Sequence, residues 1–186
     1  MKENIVKSII TALAAILFAV FAFTSDVKAQ KRDYMSEAES EIVRFEQEID
    51  RRVDALVTMI DRRFAVLNNQ PPPVKKDSEK WGEAPKGTRL ELLSDISKLL
   101  QKAIDDIDDV AAHGSMDNKL FPKAMKNLSA AAEKYLILLK FEYDKIEGEK
   151  ERGSILGSIE FCQQIIEAST KVPKDLPKKK SKDDTN

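Results

Sequence analysis

Apolar residues recur along most of this chain at the three- and four-residue steps of an α-helix, and the places where that rhythm fails divide it into segments. The clearest run is Ile42, Phe45, Ile49, Val53, Leu56, Ile60, Phe64 and Leu67, whose steps stay close to the 3.6 residues of a helical turn. It predicts a first helix from about Asp33 to Asn68, with the mostly polar residues 30–41 overhanging or frayed. Within it Ile49-Asp50-Arg51-Arg52-Val53, with Leu56, recurs as Ile60-Asp61-Arg62-Arg63-Phe64, with Leu67. An offset of three helical turns returns both copies to nearly the same face, so the repeat reads as one packing solution used twice.

Residues 69–87 (NQPPPVKKDSEKWGEAPKG) break the rhythm. Pro71-Pro72-Pro73 cannot continue a helix and should be extended. A connection this long is uncommon in a compact domain, and this one holds the only tryptophan, Trp81. Trp81 is expected to fold back as a cap on the end of the bundle; an exposed anchor for a partner is the other reading. Thr88-x-x-Glu91 has the form of a capping box. From it Leu93, Ile96, Leu100, Ala103, Ile107 and Val110 predict a second helix over about 88–112, stopped at Gly114.

Pro122 suits the first turn of a third helix, whose inner face would carry Phe121, Met125, Leu128, Ala132, Tyr135, Leu139 and Ile146. The stretch YLILLKFEY (135–143) is apolar on more than one face and is expected to be the most buried part. Gly148 is expected to end this helix. A fourth would follow over about 150–170, with Ile155, Ile159, Cys162 and Ile166 inward and Glu149 and Glu151 favouring its N-terminal dipole. One continuous helix over 122–170 is the alternative, since a glycine inside a helix costs only about 1 kcal/mol.

The N-terminal segment follows a different pattern. Lys2 and Lys7 precede an uncharged run from Ile9 to Phe23, and Val27-Lys28-Ala29 places small residues at the −3 and −1 positions of a cut before Gln30. This is the plan of a secretory signal peptide. Read as an uncut anchor, the run falls short of the roughly 20 residues that span a bilayer. No cysteine follows it, which argues against a bacterial lipoprotein. The expected organisation is a signal peptide (1–29), a helical bundle (30–170, linker 69–87) and a disordered Lys-rich tail (171–186). The expected location is the periplasm or the extracellular space.

Removing residues 1–29 leaves 157 residues with 28 basic and 30 acidic side chains. That is enough chain for one core. Mixed charge near neutrality argues against a nucleic-acid partner. The tail alone is biased, with six Lys against three Asp in 171–186. It could touch anionic lipid or cell-wall polymer, but Asp175, Asp183 and Asp184 dilute its charge, and it is read as a plain solubilising tail. Few glycines, plentiful Ala, Leu, Ile, Lys and Glu, and no alternating strand with a tight turn make the domain all-α. The expected fold is an antiparallel up-down four-helix bundle.

Candidate chemistry is sparse. Cys162 is the only cysteine, so no intramolecular disulfide can form; in IEFCQQII it reads as a small buried hydrophobe. A di-iron bundle needs two Glu-x-x-His pairs and c-type haem needs Cys-x-x-Cys-His, whereas His113 is the only histidine. It should cap the second helix. The carboxylates of Asp105-Asp106-Ile107-Asp108-Asp109 would point to different sides of a helix and form a solvated face, not a calcium loop. There is no Gly-x-Ser-x-Gly, no phosphate loop and no His-based triad. No catalytic, cofactor-binding or metal residue is assigned, and no cofactor is expected.

These readings point to a non-catalytic protein that binds or scaffolds another envelope or extracellular protein, with membrane contact only if the N-terminal segment is retained. An envelope-associated structural protein is one alternative. A ligand-binding sensor with a cavity between Tyr135 and Tyr143 is another. The sequence also makes one geometric prediction. If the first two helices are antiparallel neighbours, Arg63 faces Asp95 and Arg52 faces Asp106 in a single register. Exposed, each pair would be worth only about 0–1 kcal/mol, and independent solvated charges are the simpler reading of the same residues.

Overall fold

The computed structural model describes residues 32–73, 78–113 and 120–172. The expected signal peptide, the cut before Gln30, the stop at Gly114 and the tail beyond Val172 lie outside the described residues. The chain divides at Asp33 into two units, and every described helix belongs to the second, Tyr34–Asn186. Among the described residues there are five α-helices, one 3-10 turn and no strand: α1 (Glu37–Phe45), α2 (Ile49–Leu67), the 3-10 turn Ser78–Trp81, α3 (Arg89–Ala112), α4 (Leu120–Tyr143) and α5 (Glu149–Thr170). No helix among them is long and apolar enough to cross a membrane. The all-helical arrangement around one apolar core is compatible with a helical bundle.

The first predicted helix is two. Residues 46–48 leave the helical path between Phe45 and Ile49, and α1 folds back along α2 towards the 3-10 turn. Glu46 is extended (φ −78°, ψ 97°), its carbonyl accepts from Arg52 Nε at 2.9 Å, and Gln47 Nε2 donates to the Arg44 carbonyl at 2.7 Å. No local breaker stands at 46–48; the long-range fit of Ile42 and Glu39 against α2 overrides helix propensity there. Ser36 starts α1 with a capping box: its hydroxyl accepts from Glu39 N–H at 3.2 Å, and Glu39 Oε2 accepts from Ser36 N–H at 3.0 Å.

The second helix begins as expected. Thr88 accepts from Glu91 N–H at 3.3 Å and Glu91 Oε2 accepts from Thr88 N–H at 2.7 Å. Residues 122–170 form a hairpin and not one helix. The break falls earlier than expected: α4 ends at Tyr143, and Gly148 is the N-cap of α5 instead of the stop of α4. Arg89, the first residue of α3, fixes that turn from outside. Its guanidinium pairs with Glu142, donates to the Glu142 carbonyl at 3.0 Å, and lies 3.3 Å from Glu151 Oε2.

Pair spacings give the directions of the seams. Arg63–Asp95 and Arg52–Asp106 keep a constant sum, so α2 and α3 are antiparallel. Lys123–Asp50, Asn127–Asp54 and Lys134–Asp61 keep a constant difference of 73, so α2 and α4 are parallel neighbours. Arg89–Glu151 and the approach of Gly157 to Ser97 likewise set α3 parallel to α5. Neighbouring helices were expected to be antiparallel throughout. The matched spacing of three acidic residues on α2 with Lys, Asn and Lys on α4 favours a parallel seam there.

Candidate functional site

The chain's buried charge is concentrated at the end of the bundle where α3 begins. Arg63 is 2% exposed at the centre of the cluster. Its Nη1 and Nη2 donate to the two carboxylate oxygens of Glu39 at 2.9 and 2.7 Å, a fork-on-fork pair. It also donates to the carbonyls of Met59 at 2.9 Å and Tyr34 at 2.5 Å, and its Nε lies 3.5 Å from Asp95 Oδ2. Beside it Arg62 approaches Glu39 at 3.6 Å. Arg62 Nη2 donates to the carbonyls of Trp81 at 3.1 Å, Gly82 at 3.4 Å and Glu83. Burial pushes the Arg62 guanidinium below its ordinary value, and the Glu39 charge opposes this.

The cluster explains where the Pro-rich connection goes. Arg62 holds the backbone of residues 81–83, and its guanidinium carbon lies 5.9 Å from the Trp81 ring centre. Trp81 is 5% exposed and packs among the core residues, so the expected burial holds, but it lies beside Ile42 of α1 and Ala55 and Thr58 midway along α2 and not on the end of the bundle. Gly82 is needed twice over. Its φ is +62°, and a Cβ there would sit 3.3 Å from Ala38 Cβ.

Both predicted ion pairs form, with Arg52 Nη1 3.7 Å from Asp106 Oδ1. They differ from the expectation in burial, since Arg63 and Asp95 are enclosed. Glu39, Arg62 and Arg89 are the residues that reading the sequence missed. One signal was present: Ser36-x-x-Glu39 has the same capping-box form as Thr88-x-x-Glu91 and marks a helix start inside a segment assigned to overhang.

The other candidates are structural. Cys162 is fully buried, and burial pushes its thiol up to about 12. His113 Nδ1 sits 2.7 Å from the Asp109 carbonyl at the end of α3. Of the acidic run, Asp106 turns inward to Arg52 and Lys102, while Asp105, Asp108 and Asp109 face solvent. Tyr135 stacks on Phe64 with centroids 5.4 Å apart, and its hydroxyl donates within 3.0 Å of the Val57 carbonyl and Asp61 Oδ1. A groove of about 690 Å³ opens elsewhere, between α4 and the end of α5, beside Met125, Ser129 and Val172.

The stretch 135–143 was expected to be the most buried, and it is not. Ile137 is 72% exposed and Phe141 55% exposed, with Tyr143 also open. Only one stripe of α4 faces the core, and these residues fall outside it. Ile137 and Phe141, four apart, form one outward ridge, and Lys145 Nζ lies 3.7 Å from the Phe141 ring centre. Comparison with protein-family models, curated proteins and solved structures finds no match to this chain.

Proposed function

We propose that this chain is an exported, non-catalytic up-down helical bundle, released by cleavage after Ala29, that binds or scaffolds another envelope or extracellular protein without a cofactor. One observation carries the reading: α4 turns two large apolar side chains, Ile137 and Phe141, outward on a single ridge. Large apolar residues grouped on a surface are characteristic of recognition faces. The buried Glu39, Arg63 and Asp95, which spend their charge on one another and on backbone groups, and Glu142, which is taken up by Arg89 and Lys145, support it too.

The test is cross-linking of the wild-type chain and an I137E/F141E variant in the native envelope, followed by mass spectrometry of the captured proteins and of the chain's own N-terminus. The expected result is a defined partner captured by wild type and lost from the variant, with unchanged thermal stability. Equal capture by both would remove the ridge as the contact surface. Recovery of Met1 on the mature product would favour the membrane-anchored structural role instead.

A further inference from the structure

The break between α1 and α2 is at odds with the apolar pattern that runs through it. Ile42, Phe45, Ile49 and Val53 form one continuous helical stripe in sequence, yet the hairpin buries Ile42, Ile49 and Val53 and leaves Phe45 79% exposed. The turning residues Glu46-Gln47-Glu48 are helix formers with neither Gly nor Pro. Glu48, the N-cap of α2, makes no side-chain capping bond. Straightening this turn would therefore extend a helix and not break one. Residues 37–67 would become a single rod of roughly 46 Å at 1.5 Å per residue.

A straightened α1 leaves its seat on α2, which exposes Arg63 and Trp81. That seat is specific: a bidentate Arg63–Glu39 pair, a close approach of Gly82 to Ala38, and the burial of Ile42 in the same apolar cluster as Trp81. The partner that fits it is already known, because α1 itself fills it. We propose that this seat is an exchange interface, in which two copies of the chain straighten residues 37–67 and each places its α1 on the α2 of the other. The Arg63–Glu39 pair, the Gly82–Ala38 approach and the burial of Ile42 are remade between copies, while the two hinge bonds, Arg52 to the Glu46 carbonyl and Gln47 to the Arg44 carbonyl, are given up to helical ones. The three turning residues gain helical hydrogen bonds, and Phe45 returns to its stripe at the junction of the two copies. Short hinges between an exchangeable element and its seat are the usual setting for such swaps.

The hinge gives the test. The full chain, an E46A/Q47A/E48A variant that favours straightening, and Q47P are compared by light scattering over a series of concentrations. Proline is compatible with the turn, because the preceding Glu46 is already extended, and it opposes a continuous helix. The expected result is a species of twice the chain mass that grows with concentration, most abundant in the triple-alanine variant and least in Q47P. Trp81 emission should stay that of a buried indole in both species, since the seat is filled in each. Three chains that stay monomeric at every concentration would overturn the proposal. So would a dimer equally abundant in Q47P and the triple-alanine variant, or one in which Trp81 is exposed.

Discussion

Ile49-Asp50-Arg51-Arg52-Val53 and Ile60-Asp61-Arg62-Arg63-Phe64 are nearly the same sequence on the same helix, but they meet different surroundings. In the first copy Arg51 is exposed and paired with Glu48 of its own helix end, and Arg52 keeps a quarter of its side chain in solvent while it touches Asp106. In the second copy Arg62 and Arg63 are buried under α1 and the Trp81 turn, holding five backbone carbonyls and two carboxylates between them. The aspartates invert the contrast. Asp50 is buried against Lys123, whereas Asp61 stays partly open and accepts from both Lys134 and the Tyr135 hydroxyl. Local sequence sets the face on which these charges sit. What covers that face decides whether removing one of them costs about a fraction of a kcal/mol or several.

The largest difference between the copies should come from the second arginines. R63A strands Glu39 and Asp95 without their central cation, and breaking a buried pair in this way costs about 3–5 kcal/mol. R52A, at the matching but more open position, should cost about 0–1 kcal/mol. Urea unfolding of both variants checks this; equal losses would mean that the cover over Arg63 contributes little.

Next come the first arginines. R62A leaves the carbonyls of residues 81–83 without their donor, at about 1–3 kcal/mol, and should raise the proteolysis rate of the 69–87 connection. R51A should be neutral within about 0.5 kcal/mol, as surface changes usually are. A connection as protease-resistant in R62A as in wild type would show that Trp81 packing alone holds it.

Gly82 tests the cover itself. G82A puts an L side chain at positive φ against Ala38 and should cost about 1–2 kcal/mol. G148A, at an extended position with open space around it, should be nearly neutral in thermal melts. Equal melting of the two variants would mean that the Ala38 approach relaxes freely.

The smallest effect is at the bare end. The Lys123 hydrogen bond holds the Asp50 carboxyl below its ordinary value. A group with a depressed folded-state pKa contributes stability that is fully present above its unfolded value, about 3.9, and lost as pH falls through the folded one. Wild type should therefore lose stability more steeply than D50N below about pH 4, with the two curves parallel at neutral pH. Denaturation midpoints across that range check the slope. Parallel curves throughout would detach Lys123 from acid stability.

Much of the fold was legible in local pattern. The capping box at Thr88, the enclosure of Trp81 and the register of Arg52 and Arg63 against Asp106 and Asp95 follow from spacing and residue type. Missed features depend on distant partners. The turn at 46–48 has no local breaker and exists because Glu39 reaches Arg63, 24 positions away. The parallel α2–α4 seam rests on a match between Asp50, Asp54 and Asp61 and residues 73 positions on. The end of α4 at Tyr143 is set by Arg89, and no property of residues 143–148 alone announces it. The outward ridge was visible as excess apolarity in 135–143. Excess apolarity on a helix has two meanings, deeper burial or an outer contact face, and composition does not separate them.

That offset of 73 also orders events in time. Arg63 and Asp95 are 32 positions apart, and closing the longer α2–α4 loop costs about 0.7 kcal/mol more in chain entropy. On that ground the α2–α3 and α4–α5 hairpins are expected to gather first, with the Lys123, Asn127 and Lys134 ladder and the α3–α5 seam forming when the two pairs dock. Substitutions along that ladder should therefore hasten unfolding far more than they slow refolding.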